Sequence, residues 1–262
     1  MVRDYSVFLW LLKLGALVNL YFLLGTLAIA GTDPLVLVPA EILLAVSAYR
    51  CLFPVRYEHN IVLHDSIFSS IFVTRLLATF SEVAYIFLFS HVLRVLNVDH
   101  VEWIIVLSWL MVAQVAISQC CVWTAILLEE FQYYFYEELG WFFIFAANTI
   151  SSLYLILTVD ALGGRKVLLV LNLSFGALYL PWQSLHLRSL RAEAREQDRS
   201  AASSIPISIR LADGLKRAMQ VKNPRTDSAS WGGTIGLTWM TAYWATLIPM
   251  WTYYIVRVLA PR

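Results

Sequence analysis

Residues 67–93 read IFSSIFVTRLLATFSEVAYIFLFSHVL, an almost wholly apolar run that carries Arg75 and Glu82 two helical turns apart. The run is long enough to cross a bilayer as a helix, and ionisable groups inside such a span are costly enough to mark a functional site by default. His59, His64, Asp65 and Ser66 lead into it, so polar and titratable groups grade from one membrane surface toward the midplane. Its continuity decides the class of fold. Barrel strands alternate in segments of about ten residues, whereas a continuous apolar run satisfies its backbone polar groups in lipid as a helix.

Outward from this run, six further windows cover a hydrocarbon core of about 30 Å, which takes roughly 20 helical residues. The seven are 6–30, 35–53, 66–93, 101–128, 139–159, 167–185 and 234–258. The expected fold is an all-α integral membrane protein, a seven-transmembrane helical bundle forming a single polytopic domain over 1–262, with a cytoplasmic basic loop at 186–230. Composition agrees: 60% of the 262 residues are hydrophobic and 14% charged, where a soluble domain is nearer one quarter charged. The first run continues from Ser6 to Ala30 with no small-x-small site after a short core, and reads as a span rather than a cleavable signal.

Lysine and arginine give the orientation. One side of a seven-pass chain receives Arg3, Arg50, Arg56, Arg188, Arg191, Arg195, Arg199, Arg210, Lys216, Arg217, Lys222 and Arg225. The other receives Arg94, Arg165, Lys166, Arg257 and Arg262. The positive-inside rule then places the N-terminus in the cytoplasm and the C-terminus on the opposite side. This needs an odd number of crossings; one re-entrant or interfacial window would invert the C-terminal half, and the span from Val167 and the boundary near Glu129 are the least sharply marked.

The polar segment from His186 to Ser230 is too short and too polar for an independent domain. Within it, 208–222 places Leu211, Leu215, Ala218 and Met219 on one helical face, with Arg210, Asp213, Lys216, Arg217 and Lys222 around the rest. That pattern suits either an amphipathic helix on an anionic membrane surface or a solvated loop with some helix, Gly214 weakening the helix.

On the central span, Arg75, Thr79 and Glu82 share one stripe, because positions four and seven apart are neighbours on a helix face. Arg75 and Glu82 are separated by about 10 Å of helical rise, long for direct pairing, so each is expected to have another partner. Lys13 and Glu41 are the candidates on the first two spans, Lys13 being near enough to its helix end to snorkel to the headgroups. The set Arg75, Glu82 and Glu41 reads either as a structural ion-pair network or as catalytic or transport machinery. His64 and Asp65 would cap the helix or exchange protons with the cytoplasm.

Glu129, Glu130, Glu137 and Glu138 form two acidic pairs around a tyrosine-rich segment. If that connection is helical, Glu130, Tyr134 and Glu137 or Glu138 share a face able to bind a cation or handle protons; otherwise it is an interfacial turn with a tyrosine belt. Trp239 and Tyr243 belong to an aromatic-rich last span, which reads as helix packing or as the lining of a chamber for a lipophile.

Several chemistries lack their residues. His59 and His64 are off the i, i+4 register, no zinc pattern is present, and no metal site is expected. P-loop, dinucleotide and nucleophile-elbow motifs are missing, so no cofactor is expected. Nucleic acid is not an expected partner, because the aromatic residues lie in apolar runs and the net charge is +1. Cys51 and the vicinal Cys120 and Cys121 are not expected to bridge.

The functional expectation is a membrane-embedded enzyme acting on a lipid or isoprenoid by carboxylate acid–base chemistry, such as a cyclase or isomerase. Its catalytic candidates are Glu82, Arg75, Glu41 and Asp65. Thr79, His64, Glu130, Tyr134, Glu137, Trp239 and Tyr243 are the substrate-binding candidates. The alternatives are a proton- or ion-coupled carrier or receptor, and a structural or assembly subunit. The expected partners are a membrane lipid or lipophilic small molecule, with an oligomer or a membrane-complex partner also open.

Overall fold

The computed structural model describes residues 4–29, 31–200 and 206–260, the side chains of 197–200 excepted. Arg3 and Arg262, two of the orientation markers, and the side chain of Arg199 lie outside the described residues.

Nearly every apolar window forms a helix: α1 (Ser6–Leu27), α2 (Pro34–Leu52), α3 (Ile71–Leu96), α4 (Glu102–Leu128), α5 (Phe131–Thr158) and α6 (Gly164–Ser200). These six are long and apolar enough to cross a membrane, making this a multi-pass integral membrane protein of all-helical character. Asp33 accepts from Leu35 N at 2.9 Å as the N-cap of α2, with Pro34 preset for the first turn.

Two boundaries differ from expectation, and two alternatives that the sequence leaves open resolve to helix. The acidic and tyrosine-rich segment is helical, not an interfacial turn: Glu129 adopts a left-handed conformation, φ 55°, that ends α4, and Glu130 is the N-cap of α5. α6 runs beyond Leu185 for a total of 37 residues, about 55 Å at 1.5 Å per residue, so its basic end extends past a bilayer core. The polar segment after it carries α7 (Ile207–Gln220) rather than a loop. The last window is broken into α8 (Gly233–Met240), a π-helical turn at Thr241–Ala245, and α9 (Leu247–Leu259).

The chain gathers into two compact units, one of 1–85 with 215–262 and one of 86–214. In the first, α1 packs on α2, and α9 and the π turn pack on both. One end of this unit is closed by three two-residue strands, β1 (Val55–Arg56), β2 (Ile61–Val62) and β3 (Asn223–Pro224), with β1 antiparallel and β3 parallel to β2. His59 and Asn60 take positive φ to turn β1 into β2, and the Asn223 side chain donates to the His59 carbonyl. Buried Trp231 donates its indole N–H to the Arg225 carbonyl at 2.8 Å, holding the chain after β3.

In the second unit, α5 packs against both α4 and α6. Asn172 donates to Ser152 at 3.0 Å between α6 and α5, and Phe145, Phe175 and Tyr179 pack ring on ring. Gly214 of α7 lies so near the Leu127 carbonyl that an added Cβ would come within 1.9 Å of the oxygen.

Candidate functional site

Arg75 and Glu82 pair with each other, contrary to the expectation that each would find another partner. Arg75 Nη2 is 2.8 Å from Glu82 Oε2 and Nη1 is 3.3 Å from Oε1. The residues are 2% and 7% exposed. Helical side chains lean toward the N-terminus, which brings Glu82 back along the shared stripe, while the arginine extends to close the remaining rise. The Thr79 hydroxyl turns onto its own helix, donating to the Arg75 carbonyl at 3.0 Å.

A second guanidinium, that of Arg50, also lies close to the Tyr57 ring. Arg75 Cζ is 5.4 Å from the Tyr57 ring centre and Arg50 Cζ is 5.3 Å from it. Arg50, in the last turn of α2, is 5% exposed. Its Nη1 donates to the Tyr57 hydroxyl at 3.1 Å, and Trp244 lies over its cation at 4.9 Å. Tyr243 meets Trp244 edge-on at 4.4 Å and Tyr85 at 6.0 Å. The array thus starts at Glu82 on α3, crosses Arg75, Tyr57, Arg50, Trp244 and Tyr243, and returns to α3 at Tyr85.

The π turn explains how Trp244 is held. A π turn breaks the regular helical ladder and frees backbone carbonyls. The Trp244 carbonyl accepts from Asn19 Nδ2 at 2.8 Å and from Cys51 Sγ at 3.4 Å, while Asn19 also donates to the Gly15 carbonyl at 2.7 Å.

The other predicted residues are placed elsewhere. Glu41 is half-buried on α2 and has no ion pair or side-chain hydrogen bond among the described residues, so it does not join Arg75 and Glu82. Asp65 is exposed, with Lys222 Nζ at 3.9 Å. Neither His64 nor Asp65 caps α3: Ser66 caps a 3₁₀ turn at Ile67–Ser69 instead, accepting from Phe68 N at 3.1 Å, and α3 begins after it. His64 packs against Trp10 at 5.5 Å, and burial together with the nearby Lys13 charge lowers its pKa. Trp239 stacks edge-on to Tyr243 at 6.2 Å, at the margin of the array.

Glu130, Tyr134 and Glu137 belong to the second unit. Glu130 pairs with Arg210 of α7 at 2.8 Å, and Arg210 also donates to the Leu128 carbonyl at 2.9 Å, capping the end of α4. Glu137 is buried, and its carbonyl accepts from Ser118 at 3.3 Å. Tyr134 makes a tilted ring contact with Phe131 at 6.4 Å.

The chain matches no protein-family model, no curated protein and no solved structure. Geometry alone therefore carries the functional reading.

Arg50, Tyr57, Cys51 and Asn19 escaped the sequence reading. Arg50 falls near the end of the 35–53 window and served there as an orientation marker, since no local pattern shows that Tyr57 and Trp244 pack around it. Beside this array runs an apolar groove of about 280 Å³, lined on α1 by Phe8, Leu11 and Val18 and across from it by Leu237, Thr241 and Thr246. Both threonine hydroxyls are turned away onto backbone: Thr241 donates to the Leu237 carbonyl at 2.8 Å and Thr246 to the Thr241 carbonyl at 3.0 Å. Such a groove offers an alkyl or isoprenoid chain a surface and asks nothing polar of it.

Proposed function

We propose that this protein is a seven-span membrane enzyme that acts on a lipophilic substrate by carboxylate acid–base chemistry, with Glu82 as the proton-accepting group. The observation that supports this is a buried carboxylate, gripped at both oxygens by Arg75, in the middle of an apolar helix. A carboxylate whose orientation is fixed by a guanidinium is positioned to take a proton from a substrate bound against it. A proton leaves the substrate for a Glu82 oxygen and is returned at another atom, so the product is an isomer or a cyclised isomer with no net redox change. The groove between α1 and the α8 segment takes the chain of the substrate. Glu41 and Asp65 have no step in this scheme.

In the same reading, α8, the π turn and α9 together form the seventh crossing. Gly233 to Leu259 is 27 residues, long enough for about 30 Å of hydrocarbon. The cytoplasm then holds the N-terminus, the three-stranded cap and the basic α6–α7 segment, and the C-terminus emerges opposite. Maleimide labelling of single cysteines at Ser66 and Ala260 in sealed vesicles tests this, with labelling from opposite sides expected and labelling from one side contradicting it.

The closed geometry of the pair supports a second reading, a structural or assembly subunit in which Arg75 and Glu82 only stabilise α3. Native mass spectrometry of the gently purified protein separates the two. The enzyme reading expects a specific co-purifying lipophile, present as substrate and isomer in wild type and as substrate alone in Glu82→Gln. A ligand-free protein with a stoichiometric protein partner, or the same isomer mixture in Glu82→Gln, would favour the structural one.

A further inference from the structure

We infer that Arg50 receives a phosphate-type oxyanion. This rests on the lipophilic-substrate reading and adds the chemistry of a headgroup to it. Buried cations need a counter-charge, and the neighbouring arginines have theirs: Arg75 is bound to Glu82 and Arg56 to Glu58. Arg50 has no carboxylate partner among the described residues, although it is as buried as the paired Glu82. The carbonyl end of the α2 dipole and the faces of Tyr57 and Trp244 offset part of its charge, the dipole about half a unit.

Hydrogen bonding singles out one edge of the guanidinium. Nη1 is used by the Tyr57 hydroxyl at 3.1 Å. Nε is buried and finds no acceptor among the described residues, while Nη2 has only the Val55 carbonyl at 3.4 Å. Nε and Nη2 form a planar fork whose spacing matches two oxygens of one phosphate, a fit that lysine cannot reproduce. The fork is in the last turn of a 19-residue span, at the depth where headgroup phosphates lie. The same chemistry has two sources, the phosphate of an amphiphile and free inorganic phosphate.

Thermal unfolding of the full-length protein in neutral detergent tests the site. The probes are dioctanoyl phosphatidic acid, dioctanoylglycerol as the phosphate-free control, and inorganic phosphate. Wild type is expected to gain stability from the phosphatidic acid and not from the glycerol. Arg50→Gln should weaken that response at least about tenfold, and Arg50→Lys, which keeps the charge but not the fork, should weaken it too. A response to inorganic phosphate alone supports a soluble source; a response only to the amphiphile supports a headgroup. No response in wild type, or an undiminished one in Arg50→Lys, overturns the inference, and Arg50→Lys decides it if Arg50→Gln does not fold. Glu82→Gln, measured alongside, separates the two proposals: phosphate binding with an unchanged isomer mixture sinks the enzyme and leaves Arg50 standing, whereas a lipophile retained without any phosphate response does the reverse.

Discussion

The Arg75 guanidinium reaches two turns along α3 to hold both oxygens of Glu82, at 2.8 and 3.3 Å. Pairing at i, i+7 lets the two charges offset each other within the apolar middle of α3. Each member is then expensive to lose alone, because its partner stays behind in low dielectric. Arg75→Ala should cost about 3–5 kcal/mol in unfolding free energy, and Glu82→Gln less, since the amide still offers Arg75 an acceptor oxygen. Joint replacement by Met and Leu should recover most of the loss. Equal stability of the two single variants would contradict this account.

Gly15 is where α1 meets the π turn. A Cβ there would come within 2.5 Å of the Ala245 Cβ and 2.9 Å of its Cα. Gly15→Ala should destabilise by about 1–3 kcal/mol, the usual range for overpacking. Ala245→Gly in the same chain should restore only part, since the backbone contact persists. Full restoration in thermal melts would show that the helices can separate freely.

Asn19 holds the Trp244 carbonyl that the π turn leaves outside the regular ladder. Asn19→Ala is expected to cost about 1–3 kcal/mol, the penalty of an unsatisfied buried acceptor. Tryptophan fluorescence should also shift, as Trp244 loses its seat over Arg50. An unchanged melt and spectrum would show that Cys51 suffices.

The pH dependence follows from His64, whose pKa is lowered by burial and by the Lys13 charge. A histidine with a depressed folded value binds its proton more readily in the unfolded chain. Stability is therefore retained above the ordinary histidine value of 6.5 and declines as pH falls through it. His64→Gln should flatten the melting-temperature profile between about pH 7.5 and 5. A wild-type profile that rises on acidification would have the wrong sign.

Gly214 seats α7 on the Leu127 carbonyl, leaving Ile207, Leu211, Leu215 and Met219 exposed along one stripe. Gly214→Leu should lift the helix, and hydrogen exchange should then show faster exchange across Ile207–Gln220 than in wild type. Unchanged protection would mean that the Arg210 contacts to Leu128 and Glu130 hold it alone.

The sequence by itself determined the class of this protein. Continuous apolar runs have one stable form in lipid, and their lengths place most helix ends within a few residues, as at Leu128 and Thr158. The stripe of Arg75, Thr79 and Glu82 was also legible, since it depends only on helical periodicity. Tertiary structure decided the rest. Whether Arg75 reaches Glu82 depends on side-chain conformation, which spacing does not set. The break in the last window arises where Asn19 and Cys51 capture a carbonyl 225 and 193 residues away along the chain, a relationship no local pattern encodes. Arg50 looked like an interfacial charge because sequence places it at the end of a span; only the packing of Tyr57 and Trp244 around it turns that charge inward.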